Sequence, residues 1–496
     1  MHVVEADTSA PTGRRAAPWG VLFVMGAGAF MDLLDGTIVQ VALPSMQRNL
    51  QLTEADLQWT STSYTLAFAL ALITSVRLGE MFGRKRTFLS GLVAFTGASF
   101  LVAASADAGM LIGFRVVQGL SAALMLPQIL TFVQVEFTGT AKPKAYATYG
   151  MLLAVASASG PVLGGLLIQA DIAGWGWRTI FLVNVPIGIA AFVTGLHIIP
   201  ESKPDARGRL DPVGLVLIAA ALLAVFYPLI QGRYLGWPVW SFIMLACAVP
   251  LLFAFFLVQA RGTRMHRSPL IDLGIFANRA SGIGLLIALL FFGTTAYFFV
   301  LTLHLQLGLG FSALSTGITF LPFSIGTIAG SMLASPMAAK LGRGAVAIAS
   351  GILIVSLIGM DLVVREQGIH LIGWALAGPQ GGTGLAFGIA SGSLVTIVLA
   401  RVASDRAASA SGVVNTVTQL GSVSAIAIVG AIFFSALGNH PGVLDFVQAA
   451  SDGILYLLAA AVACLVLTAA LPREAATATT WRRWRCTRPG ERSSEG

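Results

Sequence analysis

Charged residues are scarce in this sequence. Only 10% of its 496 residues are Asp, Glu, Lys or Arg, while 56% are hydrophobic. An ordinary soluble domain has about 25% charged residues. Because so few charges cannot keep a water-exposed surface hydrated, the composition argues against an ordinary soluble protein and predicts a protein that lies in a lipid bilayer.

Cysteines and the motifs of cofactor chemistry are scarce as well. The three cysteines, Cys247, Cys464 and Cys486, have neither the spacing of a metal site nor the number of a disulfide framework. The sequence has no phosphate-binding GxxxxGK[ST] loop, no HExxH and no serine-nucleophile motif. We therefore predict that the chain is no enzyme, binds no cofactor or metal, and is not driven by ATP.

Long apolar runs, in contrast, are abundant. A helix that crosses a bilayer needs roughly 20 mostly apolar residues, and the sequence contains fourteen such runs. They lie at about 19–43, 57–78, 87–105, 109–132, 145–169, 179–199, 212–230, 239–259, 281–306, 313–336, 345–364, 371–399, 411–436 and 452–472.

The distribution of basic residues predicts the orientation. An even number of spans places both termini on one side, and most of the 30 Lys and Arg residues lie in loops and termini of that side. Since cytoplasmic loops carry an excess of Lys and Arg, we predict that both termini face the cytoplasm and that the lipid bilayer is the cell membrane. Orientation also explains the net charge of +8, so no nucleic-acid partner is indicated.

A short turn that recurs in the sequence suggests duplication. Gly83-Arg84 follows the second run and Gly342-Arg343 follows the tenth. We predict an all-α protein with two equivalent six-helix halves and two inserted helices. The predicted segments are a cytoplasmic N-terminus (1–18), a first half (19–200), a linker with the two extra helices (201–262), a second half (263–472) and a basic cytoplasmic tail (473–496).

Two aspartates interrupt the first apolar run, in the stretch MDLLDGTIVQVALP. An Asp at a helix centre costs about 2.5 to 3.5 kcal/mol on membrane-insertion scales, so a functional role is the default explanation. Asp32 and Asp35 lie on one helix face. Burial and mutual repulsion disfavour their charged forms, so we expect at least one to bind and release a proton. Alternatively, one of them only bonds a neighbouring helix.

Arg115 is the one basic residue placed deep inside a predicted span. An unpaired guanidinium there would be costly, so we expect it to pair with the aspartates of the first span. A pair that loosens when the aspartate is protonated would convert proton binding into a conformational change. The alternative is a permanent structural ion pair.

Two further groups are candidates for conformational control. The fifth span reads ASASGPVLGGLL, where glycines at four-residue spacing allow close helix packing and a proline bends the helix; ordinary packing explains it equally. In the loop RLGEMFGRKR, Glu80 could bond a neighbouring arginine and keep one face of the protein closed. The alternative is that Arg84, Lys85 and Arg86 only anchor this loop on the cytoplasmic side, which leaves Glu80 unexplained. The residues of these groups are Gly160, Pro161, Gly164, Gly165, Glu80, Gly83, Arg84 and Lys85.

The order and spacing of these motifs resemble the fourteen-span drug/proton antiporter branch of the major facilitator superfamily. The matching positions are Asp35, Thr37, Val41, Ala42, Leu43 and Pro44; Gly83, Arg84 and Lys85; Arg115, Gln118 and Gly119; Gly160, Pro161, Gly164 and Gly165; and the stretches WRTIFLVNVPIG with Asn184 and SGVVNTVTQLG with Asn415. The sequence departs from the family pattern at Gln40, Val76, Glu80, Ala156 and Ala339. Asp32 lies outside the matching positions, so its role rests on the physical argument alone.

The resemblance implies alternating access to a cavity between the halves and export in exchange for protons, with Gln118 among the residues that control conformation. The candidates for lining the cavity are Tyr64, Phe68, Asn184, Tyr297 and Asn415. We therefore predict an exporter of lipophilic or cationic drugs that uses the proton gradient as its energy source. The alternative is a dedicated exporter or a uniporter of one endogenous metabolite.

Overall fold

The computed structural model describes residues 18–202, 210–264, 270, 273–274, 279–399, 407–438 and 441–471. Within these ranges the chain forms helices and no β-strand, as the sequence predicts. The predicted N-terminal segment before Pro18 and the predicted basic tail lie outside the described residues.

Seventeen α-helices follow one another in the described part of the chain. They are α1 Pro18–Leu50, α2 Glu54–Phe82, α3 Arg84–Ala103, α4 Ala108–Glu136, α5 Ala141–Ala170, α6 Thr179–Leu182, α7 Asn184–Ile198, α8 Pro212–Tyr234, α9 Val239–Arg264, α10 Arg279–Gly293, α11 Tyr297–Leu303, α12 Ala313–Thr319, α13 Leu321–Leu341, α14 Arg343–Gln367, α15 Ala377–Leu399, α16 Ala407–Leu437 and α17 Val443–Ala469.

Local chemistry explains where several helices begin. At the start of α2, Asp56 N donates to Thr53 Oγ1 while Thr53 N donates to the Asp56 carboxylate at 2.9 Å, which is a capping box. Asp107 and Asp211 accept backbone N–H groups at the starts of α4 and α8, both at 2.8 Å. Such caps satisfy donors that the first turn of a helix leaves unpaired.

The number of membrane spans is confirmed only in part. Twelve helical segments are long and apolar enough to cross a membrane, and the count is thirteen if the two bent segments of α2 form one span. The helix α15 has 23 residues, which corresponds to about 34 Å, but it is not among those segments. The protein is therefore a multi-pass membrane protein, while the count of fourteen stays a prediction.

The helices pack in an order that repeats along the chain. In the first half (α1–α7), α1 packs on α5 and α7, α4 packs on α2 and α3, and α3 packs on α7. In the second half (α10–α17), α10 packs on α16 and α17, α15 packs on α13 and α14, and α14 packs on α17. This is the packing expected of two equivalent halves. The inserted pair, α8 and α9, packs mainly on itself.

The two halves share an apolar core at one end of the bundle. Buried residues of α1 from Ile38 to Met46 belong to a core that includes second-half residues such as Phe291 and Tyr297. Buried residues of α1 from Val21 to Met31 belong to another core, whose members all lie in the first half. Among the described residues, the halves are thus packed together at the end near Leu50, which we call the closed end.

Candidate functional site

Asp35 lies near the middle of α1 and is completely buried. Its Oδ2 atom accepts a hydrogen bond from Nη1 of Arg115, with which it forms an ion pair. Its Oδ1 atom accepts from Nε2 of Gln118 at 2.8 Å and from Nδ2 of Asn184 at 3.5 Å. The buried carboxylate is therefore held by three side chains from α4 and α7.

Arg115, which is 1% exposed, has partners besides the carboxylate. Its Nη1 atom also donates to Oε1 of Gln118 at 2.8 Å, and its Nε atom donates to the carbonyl of Thr60 at 3.4 Å. Its guanidinium carbon lies 4.4 Å from the ring centre of Tyr64, which is a cation–π contact. A guanidinium with these partners keeps part of its stabilisation when the carboxylate loses its charge.

Ser99 on α3 completes the network. Its hydroxyl oxygen accepts from Nε2 of Gln118 at 2.9 Å and from Nδ2 of Asn184 at 3.4 Å. Side chains from α1, α3, α4 and α7 therefore meet in one buried cluster, which we call the Asp35 cluster. The Oδ1 atom of Asn184 is buried and has no hydrogen-bond partner within the described residues.

Asp32 lies one turn before Asp35 and is connected to the same cluster through Tyr64. The Tyr64 hydroxyl donates to Oδ1 of Asp32, while the ring of Tyr64 faces Arg115. Asp32 keeps partial exposure, whereas Asp35 has none. Phe68 stacks beside Tyr64, with ring centres 6.4 Å apart. One tyrosine thus touches both charged parts of the site.

The glycines of the fifth span lie at two helix contacts. A Cβ atom on Gly160 would come within 1.9 Å of Oγ1 of Thr37, and one on Gly164 within 2.6 Å of Ile38, both on α1. A Cβ atom on Gly165 would come within 2.5 Å of the Cα atom of Leu314, which belongs to α12 in the second half. These glycines therefore allow α5 to touch α1 and the opposite half.

Pro161 takes part in the contact between the halves as well. Its carbonyl oxygen lies 2.2 Å from the position where a Cβ atom on Gly317 of α12 would be. At the same end of the bundle, Nε2 of Gln306 donates to the carbonyl of Val41 at 2.9 Å. The contact of α5 with α12 is thus part of the closed end.

The basic loop after α2 is bound to the end of α7. Gly83 adopts a φ of 98°, which favours glycine, and the backbone N of Arg84 donates to the carbonyl of Ser202 at 3.2 Å. The Lys85 ammonium donates to the carbonyl of Leu196 at 2.7 Å. Glu80 makes no hydrogen bond or ion pair with any residue in the described part, so the latch expected of it stays a prediction.

The candidate cavity residues do not meet at one place. Tyr64 and Asn184 belong to the surroundings of Asp35. Tyr297 is fully buried in the second half, where its hydroxyl donates to Oε1 of Gln380 at 3.0 Å. Asn415 on α16 is exposed. Their proposed contact with a substrate stays a prediction.

Two partners of the cluster, Ser99 and Thr60, are absent from the prediction. Ser99 stands in an ordinary apolar stretch, and Thr60 takes part only through its backbone carbonyl. A serine inside a helix usually bonds its own helix backbone, so its position gives no signal. Only knowing that α3 and α4 pack together would have indicated Ser99.

No group of metal-ligating side chains occurs among the residues that the structure describes. A multi-pass helical bundle in which a carboxylate and a guanidinium pair inside the membrane region has the features of a membrane transporter.

The chain belongs to the Major Facilitator Superfamily, whose family model matches residues 25–211 and 207–426. It is similar to a "Probable actinorhodin transporter" from Streptomyces coelicolor, with 37% identity over 88% of this chain and 76% of the relative. It is also similar to "Puromycin resistance protein pur8" from Streptomyces alboniger, with 32% identity over 95% of this chain and 94% of that protein. The predicted family is confirmed, and membership makes the chain a transporter rather than an enzyme.

A solved structure shares the fold. It is a bacterial homolog of the human lysosomal transporter Spinster in an inward-facing and unoccupied conformation, with a TM-score of 0.61 over 92% of this chain and 97% of that chain. The sequence identity is 16%, so this likeness concerns the fold alone.

Proposed function

We propose that this chain is a proton-coupled antiporter that exports lipophilic or cationic drugs or antibiotics across the cytoplasmic membrane. The proposal includes fourteen spans, both termini in the cytoplasm and the proton gradient as the energy source. The observation that carries it is the buried pair of Asp35 and Arg115, since a charge pair inside a membrane protein is costly to keep and usually functional.

Protonation of Asp35 would break the ion pair, but the neutral carboxyl group and Arg115 would still have hydrogen-bond partners. The neutral carboxyl group needs a hydrogen-bond acceptor, and the unpartnered Oδ1 atom of Asn184 belongs to a side chain that already contacts it. Arg115 would keep the Thr60 carbonyl, the Gln118 oxygen and the Tyr64 ring. Both states therefore keep hydrogen-bond partners, as a reversible proton site requires.

The protonation step is proposed to bias which end of the bundle is open. Asp35 precedes Ile38, Val41 and Leu43 on α1, which belong to the core of the closed end. A change in how α1 is tied to α4 can therefore shift the packing between the halves. If the closed end faces outward, this structure is the inward-facing state, in which substrate enters from the cytoplasm.

The names of the relatives support drug export and also favour a narrower candidate. Two of them are named for actinorhodin and puromycin, so a dedicated exporter of one natural product is the second candidate. The candidates differ in how many compound classes the chain protects against when it is expressed in an efflux-deficient host.

Asp35→Asn tests the coupling. Asparagine keeps the size of the side chain and one acceptor oxygen but carries no charge and cannot exchange a proton, so we expect export driven by a pH gradient to fall to the level without a gradient. The measurement is uptake of a fluorescent cation into everted vesicles with and without the gradient. Asp452→Asn is the matched control, because Asp452 lies in α17 and bonds Gln448 rather than the cluster. Gradient-driven export that survives Asp35→Asn would contradict the proposal.

A further inference from the structure

Arg233, at the end of the inserted helix α8, contacts both halves of the protein. Its Nη1 atom pairs with the carboxylate of Glu54 at the start of α2. Its Nε atom donates to Oγ of Ser435 at 2.9 Å, and its Nη2 atom donates to the carbonyl of Phe434, both on α16. One side chain from outside the two halves therefore joins a first-half helix to a second-half helix.

Apolar residues continue this connection along α8. Buried apolar residues of α2, α8 and α16 form a separate cluster. Its members are Ala55, Trp59, Leu66, Phe226, Ile230, Val423 and Ala427. Next to it, α2 and α16 approach closely, since a Cβ atom on Gly430 would come within 2.6 Å of the Gln58 side chain. The inserted helix thus lies over the seam between α2 and α16 near the closed end.

Packing between α8 and the second half is incomplete beside Arg233. An open groove of about 620 Å³ lies there, lined by residues that include Leu229, Trp237, Ser435 and Asp452. Because apolar contact is interrupted at this place, the polar contacts of Arg233 hold this end of α8 to α16.

We propose that the inserted helix pair acts as a clamp on the closed end, with Arg233 joining Glu54 of the first half to Phe434 and Ser435 of the second. Each time this end opens, α2 and α16 separate there and Arg233 releases one of them. The clamp presupposes the alternating access of the proposed function, but not its proton coupling.

The exposure of the ion pair suits a contact that opens repeatedly. The Arg233 side chain is 21% exposed and that of Glu54 is 32% exposed. Water can therefore solvate both charges after the pair separates, whereas separating a fully buried pair would leave an uncompensated charge.

The test is disulfide cross-linking between the halves. The pair Gln58→Cys and Gly430→Cys reports on the seam, in a chain whose native cysteines are replaced by serine. In Arg233→Glu, two carboxylates of like charge face each other at Glu54. We therefore expect the cross-linking yield of the seam pair to fall about fivefold in this variant. Adding Glu54→Arg should restore most of the yield. Arg48→Glu is the matched control, because the Arg48 side chain bonds only Ser45 on its own helix among the described residues.

A second cysteine pair separates opening from misfolding. Gly79→Cys and Gln128→Cys lie in contact between α2 and α4 of the first half, so their yield should be the same with and without Arg233→Glu. An unchanged seam yield in Arg233→Glu, no recovery in the double variant, or an equal fall in Arg48→Glu would overturn the clamp. Because no pH gradient is used, a failure of proton coupling in the Asp35→Asn experiment would not produce any of these results.

Discussion

Tyr64 connects the two aspartates of α1 to the same arginine. Its hydroxyl bonds Asp32 and its ring faces Arg115, so the two contacts can be removed separately. Phenylalanine keeps the ring and loses the hydroxyl, whereas leucine loses both. The structure therefore allows the role of Asp32 to be measured through a neighbour that the sequence identified only as a cavity residue.

We expect Tyr64→Phe to lower gradient-driven export about fivefold, since a hydrogen bond to a charged group is worth about 1.5 to 3 kcal/mol and only part of it would act on transport. Tyr64→Leu should lower export further, because it also removes the ring from Arg115. The measurement is the initial rate in everted vesicles. Tyr227→Phe, at an exposed tyrosine of α8, should leave the rate unchanged.

A double variant shows whether the hydroxyl acts through Asp32. If it does, Asp32→Asn combined with Tyr64→Phe should export no more slowly than Asp32→Asn alone, because the shared contact is lost only once. Additive losses would mean that the hydroxyl of Tyr64 works independently of Asp32, and the link between them would have to be abandoned.

Residues whose burial is costly were predictable, and residues whose burial is cheap were not. The pairing of Asp35 with Arg115 follows from the free energy of placing either charge alone in a membrane. Ser99 carries no such cost, so nothing in the sequence distinguishes it from other helical serines. Arg233 lies between the predicted spans 212–230 and 239–259, where a solvated arginine is ordinary, so its contacts with both halves were not predictable.

At the scale of helices, the tight contact of α5 with α12 depends on a missing side chain. A Cβ atom on Gly165 would meet the backbone of Leu314 and Ala313, which cannot rotate away as a side chain could. The contact lies at the closed end, so any added volume should push the halves apart there.

We expect Gly165→Ala to slow export and to lower the cross-linking yield of the Gln58→Cys and Gly430→Cys pair. The control is Gly150→Ala on the same helix, where a Cβ atom would meet nothing within 4 Å. Alanine favours the helix by about 1 kcal/mol at both positions, so only the clash differs between them. Equal export by the two variants would show that the contact is not needed for transport.

Helix positions were predictable from the apolar runs, but helix ends were not. The first span was predicted at 19–43, whereas α1 extends from Pro18 to Leu50. The last was predicted to begin at residue 452, whereas α17 begins at Val443. Polar residues such as Gln47 and Arg48 continue α1 beyond its apolar run, and the extension of α17 includes Asp445 and Gln448. The backbone hydrogen bonds do not end where the hydrophobic signal does.

At the scale of the whole molecule, the repeated Gly-Arg turn corresponds to a repeated contact. Arg84 donates to the hydroxyl of Ser202 at 3.1 Å, just beyond α7. Arg343 donates to the carbonyl of Ala469 at 3.0 Å, at the end of α17. Each arginine thus binds the end of the last helix of its own half, so a two-residue similarity in sequence reflects an equivalent position in both halves.

Orientation and span number can be tested together by labelling single cysteines in intact cells. With fourteen spans and cytoplasmic termini, Ile372 before α15 and Leu444 at the start of α17 face outward, while Thr138 between α4 and α5 faces inward. Ile372 is 64% exposed and Leu444 is 70% exposed, so a cysteine at either position is accessible to reagent. We expect a membrane-impermeant maleimide to label Ile372→Cys and Leu444→Cys in intact cells, and Thr138→Cys only after lysis.

If α15 does not cross the membrane, Ile372 and Leu444 lie on opposite sides and only one of the two cysteine variants reacts in intact cells. Labelling of Thr138→Cys alone would reverse the orientation, and the closed end would then face the cytoplasm.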